Sequence, residues 1–176
     1  MALDRRSIRT ATLHEVCGDP VTKRIVRFLD EIGLAVRWEI VEEPTLLPGI
    51  KVDHGALSVD QARLQHPGDL LHEGGHLAVI PPDERTELVG DIGSDPAREM
   101  MAIAWSWAAL CHLRLDPSVV FHEGGYRGGS HSLIENFSAG RYIGVPVLQW
   151  LGMTADPKHA ADLGIEPYPA MLRWLL

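Results

Sequence analysis

Five consecutive residues, His72-Glu73-Gly74-Gly75-His76, have types and spacing that can do chemistry. On an α-helix, positions i and i+4 lie one turn apart on one face, so both imidazoles can reach a single ion. Glu73 falls beside them, placed to take a proton from water that the ion holds. Zinc suits this arrangement, because it lowers the pKa of such water to about 7. A shuffled chain of the same composition would show the pattern only about 0.03 times. The chain has nine histidines against two cysteines, Cys17 and Cys111. Two cysteines make no thiolate site and no disulfide framework, so imidazole and carboxylate must hold any transition metal.

Two histidines leave such an ion short of protein ligands, since a catalytic zinc keeps three and leaves one position open. Glu99 is the preferred third ligand. It falls in the first turns of a strongly apolar helix, where an unpaired buried carboxylate would be costly. The helix dipole offers a simpler reason for a carboxylate at that place. Asp91 and His112 are weaker candidates. Gly74 and Gly75 cost roughly 1.5–2 kcal/mol relative to alanine inside a helix. Either they admit a closely packed neighbour, or they leave room for a ligand.

A second run, His122-Glu123-Gly124-Gly125-Tyr126, repeats the first four residues and ends in tyrosine. Gly128 and Gly129 follow, so it reads as a loop. His122, Tyr126 and His131 are candidate donors to an oxyanion formed when water attacks a carbonyl. A second metal at His122 and His131 is a lesser alternative. Arg127 and Arg141 could hold a substrate carboxylate, though surface roles explain them as well.

These side chains need elements to hold them. Asp19-Pro20 opens an amphipathic helix that Gly33 closes. Residues 34–41 alternate apolar and charged, which predicts a strand. Residues 55–60 predict a second. Asp69 is a plausible N-cap for the helix carrying the motif, which Pro81-Pro82 stops. The next helix opens at Asp95-Pro96 and is apolar nearly all round over residues 100–110, so it belongs at the centre of the fold. Its Trp105, Trp107, Met100 and Met101 read as core. The stretch 81–93 reads as loop. Shorter helices are expected near 132–139, 145–151 and 157–163, and residues 167–176 also suit a helix. Trp150 and Trp174 are expected to pack among these. The class is α+β: a few-stranded sheet on the motif helix and a buried central helix, then a mostly helical C-terminal part. The domain spans residues 19–176, after an N-terminal segment, 1–18.

The formal charge of −8 argues against nonspecific nucleic-acid binding. Residues 1–18 lack the apolar core of a secretory signal, and the longest apolar stretch, 100–113, is too short to span a membrane. The chain is therefore expected in the cytoplasm, without a membrane partner. Residues 171–176, MLRWLL, are a candidate surface for self-association.

The run from Gly49-Ile50 through residues 55–60, the motif with its preceding Leu70-Leu71, and Glu99-Met100-Met101-Ala102-Ile103-Ala104 resembles the ImmA/IrrE-like zincin metallopeptidases. The match covers roughly residues 50–110. Gly74 replaces a larger residue, no helix-turn-helix precedes the domain, and the chain after Leu115 has no counterpart. The resemblance implies a zincin-like fold with one zinc bound by His72, His76 and Glu99, and Glu73 as catalytic base. The expected activity is zinc-dependent hydrolysis of a peptide or small amide-like substrate. The alternatives are a non-catalytic metal- or ligand-binding module on the same fold, or a two-His-one-carboxylate enzyme using iron or another divalent metal.

Overall fold

The structure is a computed structural model and describes residues 18–42, 44–90 and 95–176. All but Gly18 of the segment 1–18 lies outside the described residues, as do Cys17 and Asp91.

Helix α1, Pro20–Glu31, starts where the sequence predicts. Asp19 accepts a hydrogen bond from the Thr22 amide at 2.8 Å, and proline occupies the first turn, where its missing N–H costs nothing. Gly33 takes a left-handed φ of +94°, and the Leu34 amide then reaches back to the Leu29 carbonyl at 2.8 Å. That is a glycine-closed helix end.

Four short strands follow: β1 (Val36–Trp38), β2 (Ile50–Asp53), β3 (Ala56–Val59) and β4 (Val89–Gly90). Their spatial order is β1-β3-β2-β4. β1 runs parallel to β3, and β2 is antiparallel to both β3 and β4. The expected strand at 34–41 is therefore only three residues long. β2 and β4 were not expected. Each is so short that its alternation is indistinguishable from loop, and pairing with neighbours creates them.

The motif lies on α2, Asp69–Ala78. The stretch expected as loop, 81–93, contains α3 (Pro82–Arg85) as well as β4. α4, Pro96–His112, is the buried central helix, capped by Asp95 onto the Ala97 amide at 2.9 Å. α2 packs chiefly against α4 and also touches α1 and β3. Short helices complete the described chain: α5 (Pro117–Val120), α6 (Ser130–Ser138), α7 (Val145–Trp150) and α8 (Pro157–Leu163). No helix among the described residues is long and apolar enough to cross a membrane.

Gly75 explains how α2 and α4 come so close. A Cβ there would sit 2.9 Å from the Ala102 carbonyl oxygen of α4, closer than real Cβ atoms approach. Ser106 uses the proximity, donating to Ala102 O at 2.7 Å and to Leu71 O of α2 at 3.2 Å. Gly74 faces the Leu29 side chain of α1 instead. Both glycines thus serve packing, not an open ligand space.

Residues 167–176 are not helical. Their polar groups bond outward instead. The Tyr168 hydroxyl donates to Ala104 O, Trp105 Nε1 donates to Trp174 O, and the Leu176 amide donates to Ala78 O. A strap that caps other elements cannot also satisfy an internal helical ladder. Trp174, Leu175 and Leu176 are spent on the chain's own core. Two apolar expectations fail. Trp150 is 83% exposed and Met100 40%, whereas Met101, Trp105 and Trp107 are buried as expected.

Candidate metal centre

The register of α2 puts His72 and His76 one turn apart, facing the first turns of α4. Their Nε2 atoms lie 3.2 Å from each other. Glu99 of α4 brings Oε2 to 3.1 Å from His76 Nε2 and 3.7 Å from His72 Nε2. A tetrahedral zinc with donors at about 2.0–2.1 Å spaces them about 3.3 Å apart. The three donor atoms thus fit one ion in common. Glu73 also belongs to the cluster, because its carboxylate and the two imidazoles offer ligand atoms within 4.8 Å of one another. Glu99 is the better third ligand. It approaches both imidazoles from a different helix, which leaves Glu73 for other work.

Burial sets the protonation of the centre. Desolvation, with His76 adding its own charge, holds the His72 pKa down to about 4, so near neutral pH its ring is uncharged and can offer a lone pair. The hydrogen bond from His76 holds the Glu99 carboxyl below its usual range, and His72, His76 and Arg127 act in the same direction. Glu99 is therefore ionised, as a ligand must be.

The remaining candidates are placed as follows. The Tyr126 hydroxyl lies 3.3 Å from His72 Nδ1, behind the ring and away from the donor nitrogen. Burial raises the Tyr126 pKa well above its ordinary value, and Asp69, Glu99 and Glu73 push the same way, so the phenol stays neutral. His122 is engaged by Asp69 and not by the His72–His76–Glu99 cluster. Its Nε2 lies 2.9 Å from Asp69 Oδ1, and its Nδ1 is buried without a hydrogen-bond partner. His131 is exposed on α6 and does not join the cluster. His112 packs against Phe28 in a tilted and Trp174 in an edge-on contact at the far end of α4.

Asp69 is the residue the sequence reading misplaced. It is the first residue of α2, with Gly68 at the cap. The residue is only 5% exposed, and its carboxylate holds His122, whose ring stacks on His66 with centroids 3.6 Å apart. The pattern Asp69, His72, His76 was the available signal, since residues three and four apart share a helix face. One face of α2 therefore carries both the metal-type donors and the anchor for the 122–129 loop.

That loop holds Tyr126 in place. Ser130 Oγ donates to His122 O at 2.6 Å and closes it. Tyr126 and Arg127 take left-handed φ of +53° and +52°. Non-glycine residues rarely adopt that region, and those that do cluster at functional sites.

Comparison of the chain with family models, with curated proteins and with solved structures found no match. Among the described residues, fold and site thus define a mixed α+β class with a four-stranded sheet and a His-Glu-His cluster that could hold a metal.

Proposed function

We propose that this protein is a metal-dependent hydrolase of the HExxH type, with a zincin-like arrangement and an amide or peptide substrate. The observation that carries the reading is the convergence of His72 Nε2, His76 Nε2 and Glu99 Oε2 within 3.1–3.7 Å. Donors from two separate helices with one tetrahedral spacing are what a single divalent ion needs. Bound there, zinc would polarise a carbonyl and make water a ready nucleophile near neutral pH.

The chain's own residues divide the remaining work. Glu73, next to the ligands but not needed as one, accepts the proton from the attacking water and returns it to the leaving amine. Tyr126 acts through His72. Were Nε2 to hold the ion, Nδ1 would carry the proton and donate it to the phenol oxygen, fixing tautomer and ring plane. Asp69 acts one step further out, tying His122 and hence the loop that carries Tyr126. The oxyanion role is assigned to neither His122 nor His131, since one is bound to Asp69 and the other stands apart on α6.

Glu73→Gln tests the division. The variant should bind zinc as tightly as the wild type within a few-fold and lose at least about a hundredfold in amide hydrolysis, as expected for removal of a general base. Turnover equal to the wild type would contradict the assignment.

A further inference from the structure

We infer that the outer face of α7 is where two copies of this chain pair about a two-fold axis. The inference is independent of the hydrolase reading and stands or falls without it.

The helix itself is the first ground. α7 reads Val-Pro-Val-Leu-Gln-Trp, with Gln149 as its only polar residue. Val145 and Leu148 face inward and are buried. Val147 and Trp150, three residues apart, share the opposite side and stay 37% and 83% exposed. A helix that is apolar on every side is normally covered on every side. Single exposed apolar side chains are common and need no partner. These are not single. Ile143, in the turn just ahead of α7, is 40% exposed. Gly144 takes a left-handed φ of +74° and lays that turn on α4. A Cβ at Gly144 would strike the Met100 carbonyl, so the two backbones touch, and exposed Met100 lies beside them. Met100, Ile143, Val147 and Trp150 extend one apolar face from the start of α4 along α7.

Charge says what covers that face. Lys, Arg, Asp and Glu make up 23% of the chain, yet none falls within residues 142–155. Arg141, just before them, gives its guanidinium to Asn136 Oδ1 at 2.8 Å and Glu135 Oε1 at 3.3 Å. An anionic lipid surface would call for basic residues around the apolar face. A charged protein partner would call for groups that pair with its own. A second copy calls for neither, since it brings the same uncharged apolar surface. With −8 on each chain, two copies repel elsewhere and are opposed least where charge is lacking.

A surface that meets its own copy is isologous, and one such contact closes the assembly at a dimer. Trp150 is its natural anchor, because tryptophan carries a large share of binding energy where it is covered. The contact thus falls on α7 and not on residues 171–176, whose Trp174, Leu175 and Leu176 pack on the chain's own core.

Sedimentation equilibrium of the full chain, from micromolar to near-millimolar concentration, tests the pairing. The face is small, so the dimer should be weak, half-formed at roughly 10–100 μM. Added salt should tighten it by screening the like charges. Trp150→Glu and Val147→Glu each place an unpaired charge in the contact and should weaken it at least about a hundredfold. Circular dichroism checks that both variants keep the fold. Ile40→Glu, at an exposed apolar site beyond β1, should leave the dimer unchanged. A monomer at every concentration would overturn the inference, as would a dimer that survives both α7 variants or is lost in Ile40→Glu. Oligomers that grow without limit, or a dimer loosened by salt, would overturn it too. So would a monomer that sediments with phosphatidylserine vesicles through Trp150, which would make lipid the occupant.

Discussion

Tyr126 shows what a single side chain contributes at this site. Its hydroxyl meets His72 on the nitrogen that does not face the cluster, and burial keeps it neutral. Tyr126→Phe should therefore weaken zinc binding by roughly 10- to 100-fold, the usual cost of removing a partner of a ligating histidine. A competition assay against a chelating dye reads this directly, and unchanged affinity would remove Tyr126 from the centre. His72 itself makes the metal-free protein sensitive to acid. Unfolded, it takes a proton near pH 6.5, but folded it resists until about pH 4. Between these values the unfolded chain holds the extra proton, so stability falls as pH falls through that window. Above it the two states bind equally and the contribution is flat. Melting temperatures of metal-free protein from pH 7 to 4 should decline, and less so in His72→Phe. Among the site residues, His72, Glu73 and His76 were legible because their relation is local to one helix. Asp69 was not. A helix-start aspartate looks like a cap, and only the return of the chain at His122 gives it another role.

At the scale of elements, the centre depends on how closely α2 approaches α4. Glu99 lies on α4 and both histidines on α2, so an increase in spacing separates the donors. Gly75→Ala should cost about 1–3 kcal/mol through overpacking, despite alanine's better helix propensity, because its Cβ meets the Ala102 backbone. Gly74→Ala should cost less, since the atom it meets is the end of a Leu29 side chain, and Leu29 can turn aside. Denaturant melts of the two variants check the order, and equal losses would contradict it. α1 and α4 were legible in the sequence because an Asp-Pro opening precedes each, whereas α5, which also follows an Asp-Pro pair, was not expected. β2, β4 and the C-terminal strap were not legible, because pairing partners and the carbonyls of Ala104 and Ala78 decide their form.

The whole molecule joins these levels. The 167–176 strap ties α4 to the end of α2, and buried Arg85 donates to Leu77 O and Ile80 O at 2.9 Å and to Leu176 O at 3.3 Å. The two helices that supply the donors are thus held by the chain's last residues as well as by each other. Since the ion would bind the folded state alone, zinc at a hundredfold excess over its dissociation constant should add about 2.7 kcal/mol. That appears as a rise in melting temperature reversed by chelator. The measurement that bears most directly on the account is zinc stoichiometry and affinity of the metal-free chain, with Glu99→Ala and His72→Ala beside the wild type. The account predicts one ion per wild-type chain and a loss of affinity in both variants. No binding by the wild type, or full affinity in Glu99→Ala, would contradict it.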